Sequence, residues 1–366
     1  MMETKTNNRN ETSIHLNHQN GSRATDSLLI DEDTGDQLKE GHASLLSCFM
    51  ILLNTVTGAG MLGLPAAMAG SGFVGGGIIM IFASFFSGMG LYLLSLSAIT
   101  SSGNSFYSVS RAAFQWDKST IFIDFIVAIK CFGVATSFFI TISDCLVDAV
   151  KWICGTGTCA SILTNRQFWV SMALLLVSPI SFFKTLDALR FTNTLSVFIV
   201  YLLAICIILY ATNVFNPCDN SKIMSDCRGP THWFRSYDTT LKTLPVFIFC
   251  FTCQQNIFTI VQEIRQRSQK RINSVILLTM ITAFALYLTV AIDGYLSFGD
   301  KVKGDILLNY PQNLILTILR IFVAVMVRTY LRIVSFLIHS HDFSSHSKMI
   351  LFFIVDILLL CCFYYR

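Results

Sequence analysis

Charge is what this chain has least of. Asp, Glu, Lys and Arg make up 13% of its 366 residues, against about 25% in soluble domains. That excludes a water-soluble globular domain, and a hydrophobic share of 53% agrees. A secretory signal peptide is missing as well: the first forty residues are polar, rich in Asn, Thr, Ser, His and acids, and read as a disordered tail. No Cys/His cluster has zinc-site spacing, and neither a nucleophile–base pair nor a phosphate loop appears. An enzyme is therefore not expected, and neither a cofactor nor a nucleic-acid partner is implied. The formal net charge of +4 is small; where the charges lie matters more.

What is present is a series of apolar runs of about 20 residues, the length that crosses a bilayer. They cover roughly 43–70, 73–99, 121–150, 168–183, 191–212, 240–262, 274–298, 314–338 and 349–364, the fourth and ninth being short. The expectation is an all-α membrane protein of about nine spans. Its parts would be a disordered cytosolic tail (1–42), a core of eight spans (43–338) and a divergent C-terminal segment with one weak span (339–366).

Basic residues set the orientation. Arg265, Arg267, Lys270 and Arg271 crowd one loop, Lys184 and Arg190 bracket another, and Arg111 and Lys118 lie in a third. All three fall on one side, so that side and the N-terminus are expected in the cytosol. The opposite side receives two loops with paired cysteines, Cys154 with Cys159 and Cys218 with Cys227. Disulfides are allowed there in a secretory-pathway or surface protein. The remaining cysteines, of twelve in all, lie mostly in apolar segments and read as small buried hydrophobes.

The most informative stretch is Asn54-Thr55-Val56-Thr57-Gly58-Ala59-Gly60-Met61-Leu62-Gly63-Leu64-Pro65 in the first span. Gly58 and Gly60 each weaken a helix by about 1 kcal/mol relative to Ala, and Pro65 removes a backbone donor. In lipid, freed backbone groups must be satisfied by protein, water or ligand. A break in mid-membrane is most simply explained by a site that uses the exposed backbone, as transporters do for ions and substrate carboxylates. Helix packing through small residues is the blander account. The sixth span carries a second polar interruption, Phe249-Cys250-Phe251-Thr252-Cys253-Gln254-Gln255-Asn256. Broken helices five spans apart fit an inverted five-helix repeat.

Three segments together resemble a known family. Asn-x-x-x-Gly-x-Gly-x-Leu-x-Leu-Pro-x-Ala from Asn54, the Phe249–Asn256 stretch followed by Glu263, and Gly294-Tyr295-Leu296-Ser297-Phe298-Gly299-Asp300 with Asn309-Tyr310-Pro311 are similar to the amino acid/auxin permease superfamily. The closest branch holds the vacuolar amino acid transporters and the sodium-coupled neutral amino acid transporters. The resemblance implies a five-plus-five inverted-repeat bundle with broken first and sixth helices. It also implies ion- or proton-coupled transport of small neutral amino acids. By the same resemblance Thr57, Gly58, Ala59, Gly60, Phe251, Thr252 and Cys253 form the substrate turns. Asn54 and Thr329 take the places of sodium ligands. After Tyr330 the likeness fades, Leu331 standing where the family has Pro. The final helices are then expected to be missing, which raises a truncated or non-transporting relative, such as a nutrient sensor, as the alternative function.

Other intramembrane residues have two readings. Asn54 can bond to another helix instead of an ion, and Thr55 and Thr57 can bond back to their own helix. Asp144 and Asp148 can snorkel at the outer end of the third span, with Asp124 and Lys130 at its inner end. Arg320, Arg328 and Arg332 share the eighth span, where at least one must face a cavity or the aqueous edge. Asp26-Ser27-Leu28-Leu29-Ile30 has the form of an acidic di-leucine sorting signal. The expected partners are an amino acid and the lipid bilayer, in a vacuolar, lysosomal or plasma membrane. The oligomeric state is open, and an ion channel is disfavoured by the paired breaks.

Overall fold

The computed structural model describes residue 41 and residues 43–114, 117–154, 162–172, 187–218, 227–311 and 313–323. The N-terminal tail with its di-leucine motif, most of the fourth span, Cys159, Thr329, Arg328, Arg332 and the C-terminal segment lie outside them. Among the described residues four helices are long and apolar enough to cross a membrane, and all of the regular helical structure expected there is present.

The first span starts at Ser44, whose hydroxyl accepts from Ser47 N at 3.2 Å and so caps the helix Leu45–Val56. It resumes as a 3-10 turn, Ala59–Gly63, and continues into a helix from Leu64 with Pro65 in the first turn. There the missing N–H has no intrahelical partner to lose. The chain then reverses at Gly72, inside the assigned helix Leu64–Thr100, with φ 78°. Phe73 N and Val74 N donate to His232 O and Trp233 O at 3.2 and 3.0 Å. A Cβ at Gly72 would sit 2.7 Å from Trp233 O, so both the backbone angle and the contact require glycine. The break falls at Gly72, between the two expected spans 43–70 and 73–99.

The third span is one long helix, Asp117–Cys154, the fifth is Asp187–Ala211 and the seventh Gln269–Phe298. The sixth consists of two pieces, Tyr237–Cys250 and Ile257–Glu263, joined through a short 3-10 turn, Gln254–Asn256. The eighth begins as Leu314–Val323. The seventh span packs closely on the first: a Cβ at Gly294 would lie 2.5 Å from Pro65 Cγ.

At one end of the bundle the first and sixth spans are tied by backbone alone. Ala43 N donates to Glu263 O at 2.8 Å and Arg265 N to Ala43 O at 3.0 Å, a parallel bridge of Ala43 with Ile264. At the other end the loops lock together. Gly229 N bonds Phe298 O at 2.8 Å and Asp300 N bonds Pro230 O at 3.1 Å, while Asp300 pairs with His232 and Arg235. Cys218 and Cys227 are bonded at that end, with Cα atoms 6.0 Å apart. Cys154 is also disulfide-bonded.

Candidate functional site

Both interruptions sit in the protein interior and touch. A Cβ at Gly60 would lie 3.2 Å from Cys250 Sγ and 3.4 Å from Phe249 Cδ1. In the first span the helix stops because Thr57, at ψ 44°, leaves the helical region and Gly58 is extended. The Thr57 hydroxyl donates to Leu53 O at 2.8 Å, and Thr55 does the same to Ile51 O at 2.9 Å. Both threonines make the bond back to their own helix. Gly58 is buried and Gly60 half-buried, with Ala59 between them in the turn. In the sixth span Phe251 and Cys253 are fully buried. Thr252 donates to Ile248 O at 2.7 Å.

The carbonyls freed by the breaks are met by side chains from neighbouring spans. Tyr287, on the seventh, donates its hydroxyl toward Val56 O at the first break and Cys250 O, 3.1 Å away, at the second. Its ring stacks edge-on against Phe251 with centroids 5.1 Å apart. Ser87, on the second span, donates to Phe251 O at 2.5 Å and accepts from Gln254 Nε2 at 3.2 Å. Buried backbone polar groups rarely go unpaired, so a substrate entering here has these bonds to work with. Tyr287 and Ser87 escaped the sequence reading. Their only signal is a polar atom in an apolar helix, which by itself does not say what it meets.

Three amide side chains surround the first break. Asn54 Nδ2 donates to Asn193 Oδ1 of the fifth span at 3.0 Å. Asn256 Nδ2 donates to Thr55 Oγ1. Asn54 Oδ1 and Asn256 Oδ1 are buried and receive no hydrogen bond among the described residues, which leaves two amide oxygens without a donor there. Asn54 thus makes the interhelical bond with its nitrogen, while its oxygen accepts none among the described residues. Thr329 lies outside the described residues.

The intramembrane charges find partners that the sequence did not name. The Lys130 ammonium donates to Gln255 Oε1 at 2.6 Å, beside the sixth-span break. Asp144 pairs with Arg166 at 2.9 Å. Arg320 is 1% exposed. Its Nη2 donates to Leu307 O at 2.7 Å and Tyr310 O at 3.3 Å, and lies 3.9 Å from Asp148 Oδ2. It thereby pins the loop between the seventh and eighth spans. That loop packs on the first break, with Gly304 O 3.5 Å from where a Cβ of Gly63 would be. Within it Asp305 accepts from Leu307 N at 2.9 Å. Burial pushes the Asp305 carboxyl up to about 6, with Leu307 N–H and Arg320 opposing and Asp144 and Asp148 adding.

Comparison with known proteins places this arrangement. Residues 41–345 match the family described as "Transmembrane amino acid transporter protein". Vacuolar amino acid transporter 5 of Schizosaccharomyces pombe is 34% identical over 276 residues, 74% of this chain and 62% of that protein. Sodium-coupled neutral amino acid transporter 7 of Homo sapiens is 28% identical over 306 residues, 82% of this chain and 64% of that protein. The chain thus spans about three-fifths of the length of the curated relatives it matches. Two solved structures share the fold at low identity. Mhp1, a nucleobase-cation-symport-1 family transporter in a closed conformation with bromovinylhydantoin bound, superposes with a TM-score of 0.59 at 12% identity, covering 93% of this chain and 76% of that one. MhsT in complex with L-phenylalanine gives 0.55 at 14%, covering 88% and 80%. With two broken helices meeting at the centre, a transporter fold around them and a family match over most of its length, this chain belongs to the transmembrane amino acid transporter protein family.

Proposed function

We propose that the chain forms the core of a secondary active transporter for small neutral amino acids, working by alternating access around the two breaks, and that it is not an enzyme. The observation that carries this reading is the contact of the two breaks, Gly60 against Cys250 and Phe249, with Tyr287 bridging their carbonyls. Interrupted helices of this kind expose backbone to small substrates in transporters. Relatives named as amino acid transporters favour an amino acid as cargo. The substrate would lie along Thr57–Gly60 and Phe251–Cys253, where glycine lets its carboxylate approach the backbone. The inverted repeat is part of the same proposal.

Coupling is to sodium or to protons. Sodium is supported by the buried oxygen of Asn54 that receives no hydrogen bond; Thr329 is proposed as a second ligand. The N-terminus is proposed to be cytosolic, in a vacuolar, lysosomal or plasma membrane. The bonded pair Cys218 and Cys227 would then lie on the opposite side from Arg265–Arg271. The deciding experiment is uptake of a labelled amino-acid panel into proteoliposomes, with sodium and proton gradients imposed separately. Uptake driven by one gradient supports the proposal. A protein that inserts but neither binds nor accumulates any amino acid under either gradient would overturn it.

A further inference from the structure

On the outside of the bundle the second and seventh spans part and leave a groove of about 610 Å³. One wall carries Phe85, Gly88 and Met89; the other carries Leu277, Met280 and Ile281. Gly88 keeps one wall low: a Cβ there would touch Met280 Cγ at 3.4 Å, and a longer side chain would reach into the groove. Its rims are open to the bilayer, with Phe85, Leu277 and Ile281 all more than half exposed. Nearly all of the lining is apolar. Ser84 lies about two turns along the second span from one end, where Tyr92 and Asn273 stand. There Gln269 Nε2 donates to Ser95 Oγ at 2.9 Å and to Asn273 Oδ1 at 2.7 Å, closing the groove between the helices.

The charge at that end is mostly positive, with Glu263 the acid in the same loop region. Lys270 precedes Asn273 by three residues and Leu277 by seven, so it continues the groove face of its helix by one turn. It is exposed, as are Arg265 and Arg267 in the loop before it. Arg271 is tied to Gln266 Oε1 at 2.6 Å and adds to the same field. Facing them, residues 96–105 at the end of the second span carry no acid. An apolar slot opening outward, with the exposed Lys270 one turn beyond its end and exposed Arg265 and Arg267 in the loop before it, has the shape and charge of an anionic lipid turned inside out.

We propose that this groove seats the acyl chains of an anionic phospholipid whose headgroup phosphate is held by Lys270 and the basic loop before it. Apolar fit supplies the chain contact and Lys270 the preference for negative headgroups. A zwitterionic lipid would enter the slot but lack the net charge that Lys270 favours. This rests on the membrane-spanning fold alone, not on what is transported.

The test is native mass spectrometry of the full chain purified in non-ionic detergent. Phosphatidylserine and phosphatidylcholine of identical chains are added in turn. The expected result is phosphatidylserine retained at least about fivefold more than phosphatidylcholine. Lys270→Gln should bring phosphatidylserine down to the phosphatidylcholine level and leave the latter unchanged. Gly88→Leu, which fills the slot, should reduce both. Lys270 is an exposed position, so that variant decides the matter if Gly88→Leu does not fold. Equal retention of the two lipids by the parent, or an undiminished preference in Lys270→Gln, overturns the proposal. So does a dimer that Gly88→Leu disperses, because the groove would then be covered by a second copy.

Discussion

The Tyr287 hydroxyl points at the carbonyl of Cys250 from 3.1 Å, and the same hydroxyl also reaches Val56 O. A phenol carries one proton, so two carbonyls from two broken helices share a single donor. Tyr287→Phe removes that donor and keeps the ring against Phe251. Leaving a buried acceptor unsatisfied costs about 1–3 kcal/mol. In proteoliposomes uptake should fall by tenfold or more while the affinity for amino acid, read by equilibrium binding, changes by less than threefold. An equal loss of both would assign Tyr287 to substrate contact instead of to joining the breaks.

Gly60 tests the contact of the two turns. Its missing Cβ would stand 3.2 Å from Cys250 Sγ, so Gly60→Leu must push the sixth span away or occupy the space between them. Membrane insertion and yield should survive, and amino-acid binding should be lost. Gly58→Leu is expected to behave in the same way, since the residue is buried in the same turn. Either variant binding with the parent affinity would remove the substrate from this position.

Asn54 has one observed bond and one proposed role, which a double-mutant cycle separates. Its amide nitrogen bonds Asn193 at 3.0 Å, a contact worth about 0.6–2 kcal/mol within a membrane. Asn54→Ala and Asn193→Ala should therefore be coupled in thermal stability by that amount. If sodium drives transport, Asn54→Ala should also raise the sodium concentration needed for half-maximal uptake, and Asn193→Ala should do so less. Uptake that ignores sodium in the parent would give the coupling role to protons.

Asp305 gives a pH dependence with a definite sign. Its carboxyl is raised from 3.8 to about 6, so between those values the folded protein holds a proton that the unfolded chain releases. Its contribution is fully present below about pH 4 and is lost as pH rises through about 6. Asp305→Asn cannot ionise. Comparing thermal stability of parent and variant from pH 4 to 7, the parent should lose ground across that window. Parallel curves would show that Asp305 is not buried within the loop between the seventh and eighth spans.

The breaks were legible because glycine, proline and clustered amides are costly in a lipid-embedded helix, and Gly58, Gly60 and Asn256 announce that cost in one dimension. What closes around them was not. Tyr287 lies 231 residues from Val56 and Ser87 lies 164 from Phe251; no local pattern encodes such pairs. The partner of Lys130 was hidden for a related reason: a lysine in an apolar run does not say what it meets, and only tertiary packing supplies Gln255. At least one of Arg320, Arg328 and Arg332 is expected to face a cavity or the aqueous edge because a lone guanidinium in lipid is unfavourable, and nothing local announces the loop carbonyls that meet Arg320.

The bridge between Ala43 and Ile264 is made of peptide groups only. Side-chain scanning would pass over it, because alanine at Arg265 or Glu263 keeps every donor and acceptor that the bridge uses. Only proline erases it: Ala43→Pro deletes the N–H given to Glu263 O, and Arg265→Pro deletes the one given to Ala43 O. Closure at that end of the molecule is therefore written in the backbone, where evolution can rewrite the surrounding letters freely and still keep the clasp.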